Sequence, residues 1–228
     1  MKGIKHIFFD LDHTLWDYDK SAQETLIEVY SLLELAEDEI SKKEFIDTFY
    51  TVNNQLWHLY NHGEIDRDYI KTNRFKEILE KVDADPAKSV EASEYFLHHC
   101  SIKPYLIEDA ITALRYLDEK YQLHIITNGF IDSQNNKLSH SGISDFFEVV
   151  VTSECIGAKK PSQEIFHFSL EKAGAKVAES VMIGDNPKTD ISGAKEVGMY
   201  SILFDPSGRK RSLADVTIQS HLELIKLF

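Results

Sequence analysis

Five short apolar runs punctuate the chain, at residues 4–9, 123–126, 147–151, 181–183 and 200–204. Each is rich in β-branched or aromatic side chains and has the length of a strand. Between the last four, apolar positions recur at helical spacing. Ile107, Ala110, Ile111, Leu114 and Leu117 form one set. Ile165, Phe166, Leu170 and Ala173 form a second, stopped by Gly174, and Ile191, Ala194 and Val197 a third, closed by Gly198. Strands alternating with helices predict an α/β fold with a parallel sheet wound on both faces.

Residues 17–103 break that rhythm. Leu26, Val29, Tyr30 and Leu33 share one helical face; Phe45, Phe49, Val52, Leu56 and Leu59 share another; Tyr69, Phe75, Ile78, Leu79 and Val82 a third. Asp85-Pro86 starts a fourth helix that runs to about Cys100. The expected organisation is a core of residues 1–16 and 104–228, with an all-helical cap at 17–103 inserted after the first strand. Pro104 marks the return.

Composition adds exclusions. At 228 residues the chain suits one large domain or a domain with a sizeable insertion. A formal net charge of −13 argues against nucleic acid or an anionic membrane as partner. No apolar run approaches the ~20 residues of a membrane span. The first run is too short for a signal peptide and acids follow it at once, so a cytoplasmic protein is expected. Cys100 and Cys155 have no metal-ligand spacing and are expected as plain thiols, buried or half-buried. Nothing in the pattern bears on oligomeric state.

Four polar clusters fall just after four of the runs: Asp10 and Asp12; Thr127-Asn128-Gly129; Lys159 and Lys160; and Gly184-Asp185-Asn186 with Asp190 beyond. In an open α/β sheet, ligands bind at the carboxyl ends of strands, so these clusters converge. Asp10, Asp185 and Asp190 in one pocket would repel unless a cation joined them. A hard divalent ion such as Mg²⁺, held by carboxylates and a substrate phosphate, answers that need. Lys160, the Thr127 hydroxyl and backbone N–H groups after Thr127 and after Gly184 suit phosphate oxygens. Asp10 can then act as nucleophile, forming an aspartyl-phosphate, while Asp12 handles the protons. Some of these residues also have plainer readings. Thr14 suits bracing the first loop, Asn186 a helix cap, Asp190 an acid at a helix N-terminus, and Lys159 a solvated neighbour. Trp16 reads as core or as a stacking platform, and Trp57 and Tyr60 as core. Arg67, Lys71 and Arg74 read as a solvated helix face or as a surface that touches substrate.

Asp10-Leu11-Asp12-His13-Thr14 resembles the first motif, DxDxT, of the haloacid dehalogenase (HAD) superfamily. Thr127 matches the second motif, Lys160 in KKPSQEIF the third, and Asp185 with Asp190 in GDNPKTD the fourth. The resemblance covers essentially the whole chain, though His13 stands where many relatives have glycine. It implies a Rossmann-like core, phosphoryl transfer through a phospho-aspartate, and Mg²⁺ held by Asp10, Asp185 and the backbone carbonyl of Asp12. The segments TNGFIDSQNNKLSHSGI and SECIGAKKPSQEIF are similar to a subgroup of pyrimidine 5′-nucleotidases, which implies a nucleoside monophosphate as the small phosphate monoester cleaved. A sugar-phosphate phosphatase or a phosphomutase of the same superfamily remains as an alternative. So does, from another class, a phospho-accepting signalling domain that stores the phosphoryl group.

Overall fold

The structure, a computed structural model, describes residues 1 and 3–228. Its chain order is β1 (His6–Phe9), α1 (Tyr18–Leu32), α2 (Lys42–Asn61), α3 (Arg67–Lys81), α4 (Ser89–Ser101), α5 (Ala110–Asp118), β2 (Gln122–Thr127) and α6 (Ile131–His140). There follow β3 (Phe147–Thr152), the single turn α7 (Ser153–Ile156), α8 (Gln163–Lys172), β4 (Ser180–Gly184), α9 (Ser192–Glu196), β5 (Tyr200–Phe204), β6 (Val216–Ile218) and α10 (Leu222–Leu227). Two compact units result: Met1–Tyr18 with Pro104–Phe228, and Asp19–Lys103.

The first unit is a Rossmann-like α/β core. Its six strands are all parallel, in the order β3-β2-β1-β4-β5-β6. Every residue of β1 and β4 is buried, as expected for strands covered on both faces. Phe8, Ile126, Val151, Met182 and Met199 pack with Ile165, Phe166 and Leu170 of α8 in one core cluster. The chain leaves β1 toward β2 and β3, then returns on the other side of β1 to form β4. The reversal opens a crevice at the carboxyl ends of β1 and β4. Register fixes what stands there: Phe9 pairs with Ile125 on one side and Ile183 on the other, and the Asp10 N–H donates to Ile183 O at 2.9 Å.

The second unit is wholly helical. Ser41 caps α2 by accepting from Glu44 N at 3.1 Å, and Asp66 caps α3 by accepting from Tyr69 N at 2.8 Å. Phe49, Phe75 and Phe96 pack ring against ring in its interior. Arg74 departs from both readings of its helix face. Its guanidinium is buried among those three rings and donates to Asn53 Oδ1 at 3.1 Å. Lys71 is exposed and Arg67 half-buried; Tyr60 is core and Trp57 half-buried.

Three other details differ from the sequence reading. The helical set at 107–117 precedes β2, and the gap between β2 and β3 is filled by α6, whose buried face is Gln134, Lys137 and Leu138. That face is too polar for apolar periodicity to mark it. A sixth strand, Val216–Ile218, which no apolar run marks, extends the sheet beyond β5. Cys100 is buried but Cys155 is exposed, beyond the half-buried state expected of it. Among the described residues, no helix is long and apolar enough to cross a membrane.

Candidate active site

The loop after β1 turns back sharply on itself. Leu11 O accepts from Thr14 N at 3.3 Å, Leu15 N at 2.9 Å and Trp16 N at 2.9 Å. His13 sits in the left-handed region at φ 62°, a conformation that a glycine adopts without strain and other residues visit rarely. The loop places Thr14 under Asp10, and its Oγ1 donates to Asp10 Oδ2 at 3.1 Å. Trp16 is fully buried, so it packs in the core and offers no face for stacking.

Lys160 supplies the other partner. Its side chain is 2% exposed, and Nζ donates to Asp10 Oδ1 at 2.6 Å and Ile126 O at 2.7 Å and lies 2.7 Å from Asp190 Oδ1. An ammonium has three donors, and each has an acceptor here. Burial disfavours its charge, but the two carboxylates outweigh that and hold its pKa above the usual lysine range. The Asn128 side chain grips the same lysine by its backbone, accepting from Lys160 N at 2.8 Å and donating to Lys160 O at 3.0 Å. Lys159 is half-buried beside it.

The turn after β4 brings the remaining acids. Asn186 is the N-cap of the π-helical turn Pro187–Ile191, accepting from Lys188 N at 2.9 Å and Thr189 N at 3.3 Å. That turn folds Asp190 back beneath Asn186 N, which donates to its Oδ2 at 3.0 Å. Gly184 makes room: a Cβ there would lie 2.3 Å from Asp190 Oδ2. Ligand oxygens of Asp10, Asp185 and Asp190 all lie within 4.8 Å of one another. Burial, with the Asp190 and Asp185 carboxylates adding to it against Lys160, pushes Asp10 up to about 8. Burial and Asp190 likewise raise Asp185, although Lys210 Nζ donates to its Oδ2 at 2.9 Å.

Asp12 belongs to a second group. Lys137 Nζ donates to Asp12 Oδ1 at 2.7 Å and Oδ2 at 2.9 Å, and Gln134 Nε2 donates to Oδ2 at 2.8 Å. Burial alone would raise the Asp12 carboxyl, but Lys137 and Gln134 prevail and hold it below the usual range. Gln134 Nε2 also reaches Thr127 Oγ1 at 3.2 Å, and Gly129 N donates to the same oxygen at 3.1 Å. With two donors already on its oxygen, the Thr127 hydroxyl has its own hydrogen left to give.

Of the residues expected at the site, buried Asp10, Thr14, Lys160 and Asp190 form one cluster with half-buried Asp185, and Asp12, Thr127 and Gly129 a neighbouring network. The side chains of Asn128 and Asn186 are spent on backbone. Gln134, Lys137 and Lys210 were not foreseen. The signals for them were weak: a three-residue spacing that puts Gln134 and Lys137 on one helix face, and a basic cluster at 209–211.

The acidic trio offers only hard oxygen donors, and its three carboxylates face two ammonium groups, Lys160 and Lys210. That excess of negative charge and that donor set fit a divalent cation such as Mg²⁺.

The family model for haloacid dehalogenase-like hydrolases matches residues 4–198. The chain is 31% identical over 207 residues to the pyrimidine 5′-nucleotidase YjjG of Escherichia coli, covering 90% of this chain and 88% of that one. It is 33% identical over 216 residues to the glyceraldehyde 3-phosphate phosphatase of Pyrococcus furiosus, covering 90% and 82%. The structure superposes on that of the HAD-hydrolase YfnB of Bacillus subtilis, solved bound to magnesium, with a TM-score of 0.89 at 23% identity over 99% of both chains.

Proposed function

Since the chain belongs to the haloacid dehalogenase-like hydrolase family, we propose that it is a Mg²⁺-dependent phosphomonoesterase working through an aspartyl-phosphate. Its preferred substrate on this reading is a nucleoside 5′-monophosphate with a pyrimidine base. The observation that carries the reading is the convergence of Asp10, Asp185, Asp190 and Lys160 at the carboxyl ends of adjacent strands, with Thr127 across the same sheet edge. The similarity to a pyrimidine 5′-nucleotidase supports the choice of leaving group.

In this mechanism Asp10 is the nucleophile. Thr14 holds one of its oxygens and leaves the other, now paired with Lys160, to meet phosphorus. Asp10, Asp185 and the Asp12 carbonyl, with Asp190 in support, would hold Mg²⁺, which when bound supplies positive charge against the phosphoryl oxygens. Thr127 gives its hydroxyl hydrogen to one of those oxygens, and backbone N–H groups after it add donors, that of Gly129 only by releasing the Thr127 oxygen it now meets. Lys160 contributes its charge; it bonds the phosphoryl group directly only by releasing one of its present acceptors. Asp12 protonates the departing alkoxide and then takes a proton from the water that cleaves the phospho-aspartate. Asn128 and Asn186 position the Lys160 and Asp190 turns. Selection of the leaving group is assigned to the helical unit, as the cap of the fold.

The test is phosphate release from a panel of nucleoside and sugar monophosphates, with Mg²⁺ and with EDTA. Mg²⁺-dependent release strongest on pyrimidine nucleotides is expected. A preference for small sugar phosphates would favour the second reading, which the glyceraldehyde 3-phosphate phosphatase relative supports. No release from any of them would overturn both.

A further inference from the structure

We propose that Lys137 and Gln134 are positioning residues for Asp12, and that they serve chiefly the second half of the reaction, hydrolysis of the phospho-aspartate. This rests on the phosphatase reading above. The starting observation is the inward face of α6. A buried ammonium and a fully buried amide are costly to place in a core unless a partner meets them. Here both are aimed at one carboxylate, through the three contacts of 2.7 to 2.9 Å already described.

The pair is built into its surroundings. Lys137 Nζ lies 4.7 Å from the ring centroid of Trp16, which is itself fully buried. Gly129 lets Gln134 in: a Cβ at that position would lie 1.5 Å from Gln134 Nε2. The amide bridges Asp12 to Thr127, so the group that handles protons and the hydroxyl that faces phosphate are held at one spacing. Gln134 Oε1 is buried with no hydrogen-bond partner.

The step these residues serve has a defined balance. Water oxygen bonds to phosphorus as the Asp10 oxygen–phosphorus bond breaks. The water proton passes to the Asp12 carboxylate, phosphate leaves, and Asp10 regains its charge. The proton now on Asp12 goes to the leaving alkoxide of the next substrate. A carboxylate that wanders by an ångström from the attacking water loses that proton transfer, and Lys137 with Gln134 fixes both of its oxygens.

The experiment compares the full-length protein with Lys137→Met, Lys137→Arg and Gln134→Leu, using p-nitrophenyl phosphate and Mg²⁺ in rapid mixing. p-Nitrophenolate departs without a proton, so the first half of the reaction is insulated from Asp12. In Lys137→Met the steady-state kcat should fall about 100-fold, the scale of a lost proton transfer. A burst of about one p-nitrophenolate per enzyme should precede it, with phospho-enzyme in the acid-quenched protein. KM should not rise, and Lys137→Arg should recover most of the rate. Gln134→Leu should show the same burst with a smaller fall, and gives the same test should Lys137→Met fail to fold. Wild-type turnover with no burst in either variant, or a kcat within threefold of wild type, would overturn this proposal alone. A wild type that releases no p-nitrophenolate would instead remove the phosphatase reading beneath it.

Discussion

Replacing Lys160 by methionine keeps most of the apolar stem and deletes one ammonium. The structure says what is left behind: the Asp10 and Asp190 carboxylates and the Ile126 carbonyl, all buried, each deprived of a donor now within 2.7 Å. Removing one partner of a buried ion pair costs about 3–5 kcal/mol, because the charge that remains is uncompensated. Two carboxylates are orphaned at once, so the upper end is expected, against a total stability of roughly 5–15 kcal/mol for a typical domain. Equilibrium unfolding in urea with EDTA would measure it. The chain has two tryptophans, and changing Trp57 to phenylalanine leaves buried Trp16 to report on the core unit. With a denaturant slope of about 2 kcal/mol per molar, the midpoint should fall by roughly 2 M. Adding Asp190→Asn should cost less than the sum of the two changes, since one orphaned charge is then gone. A Lys160→Met loss under about 1 kcal/mol, in the range of an exposed pair, would refute the buried ion triad.

Two further outcomes follow from other charges. Lys210 competes with any cation for Asp185, so Lys210→Met should tighten Mg²⁺ binding. Lys210 is partly exposed and screened, so the gain is limited to about 0.5–1 kcal/mol, roughly two- to fivefold in Kd by titration calorimetry, and weaker binding would show that Lys210 supports the metal site. Burial, with His6 beside it, holds the His124 pKa down to about 4, below the ordinary 6.5. The unfolded chain therefore binds more protons between those values, and stability should drop by about 3 kcal/mol as pH falls from 6.5 to 4. His124→Leu should flatten that slope in urea unfolding at pH 6.5 and 5, and an unchanged slope would show that the ring titrates normally.

The strands were legible because parallel strands buried on both faces must be continuous apolar runs. The carboxylates were legible because Asp10 and Asp185 interrupt such runs at their ends. β6 was not, since Val216–Ile218 is three residues at a sheet edge with one of them buried. α6 escaped for a different reason. Its buried face answers a carboxylate contributed by a residue more than 120 positions away, and no local pattern encodes that. Arg74 shows the same limit, its burial set by three phenylalanines from three helices.

The claim that Asp10 carries the phosphoryl group has one most direct test. Asp12→Asn, slowed in the hydrolytic half, is mixed with p-nitrophenyl phosphate and Mg²⁺, quenched in acid, and mapped by peptide mass. The phosphoryl group should sit on the peptide containing Asp10, vanish with EDTA, and be absent from Asp10→Asn. A phosphoryl group on any other residue, or turnover retained by Asp10→Asn, would contradict the assignment.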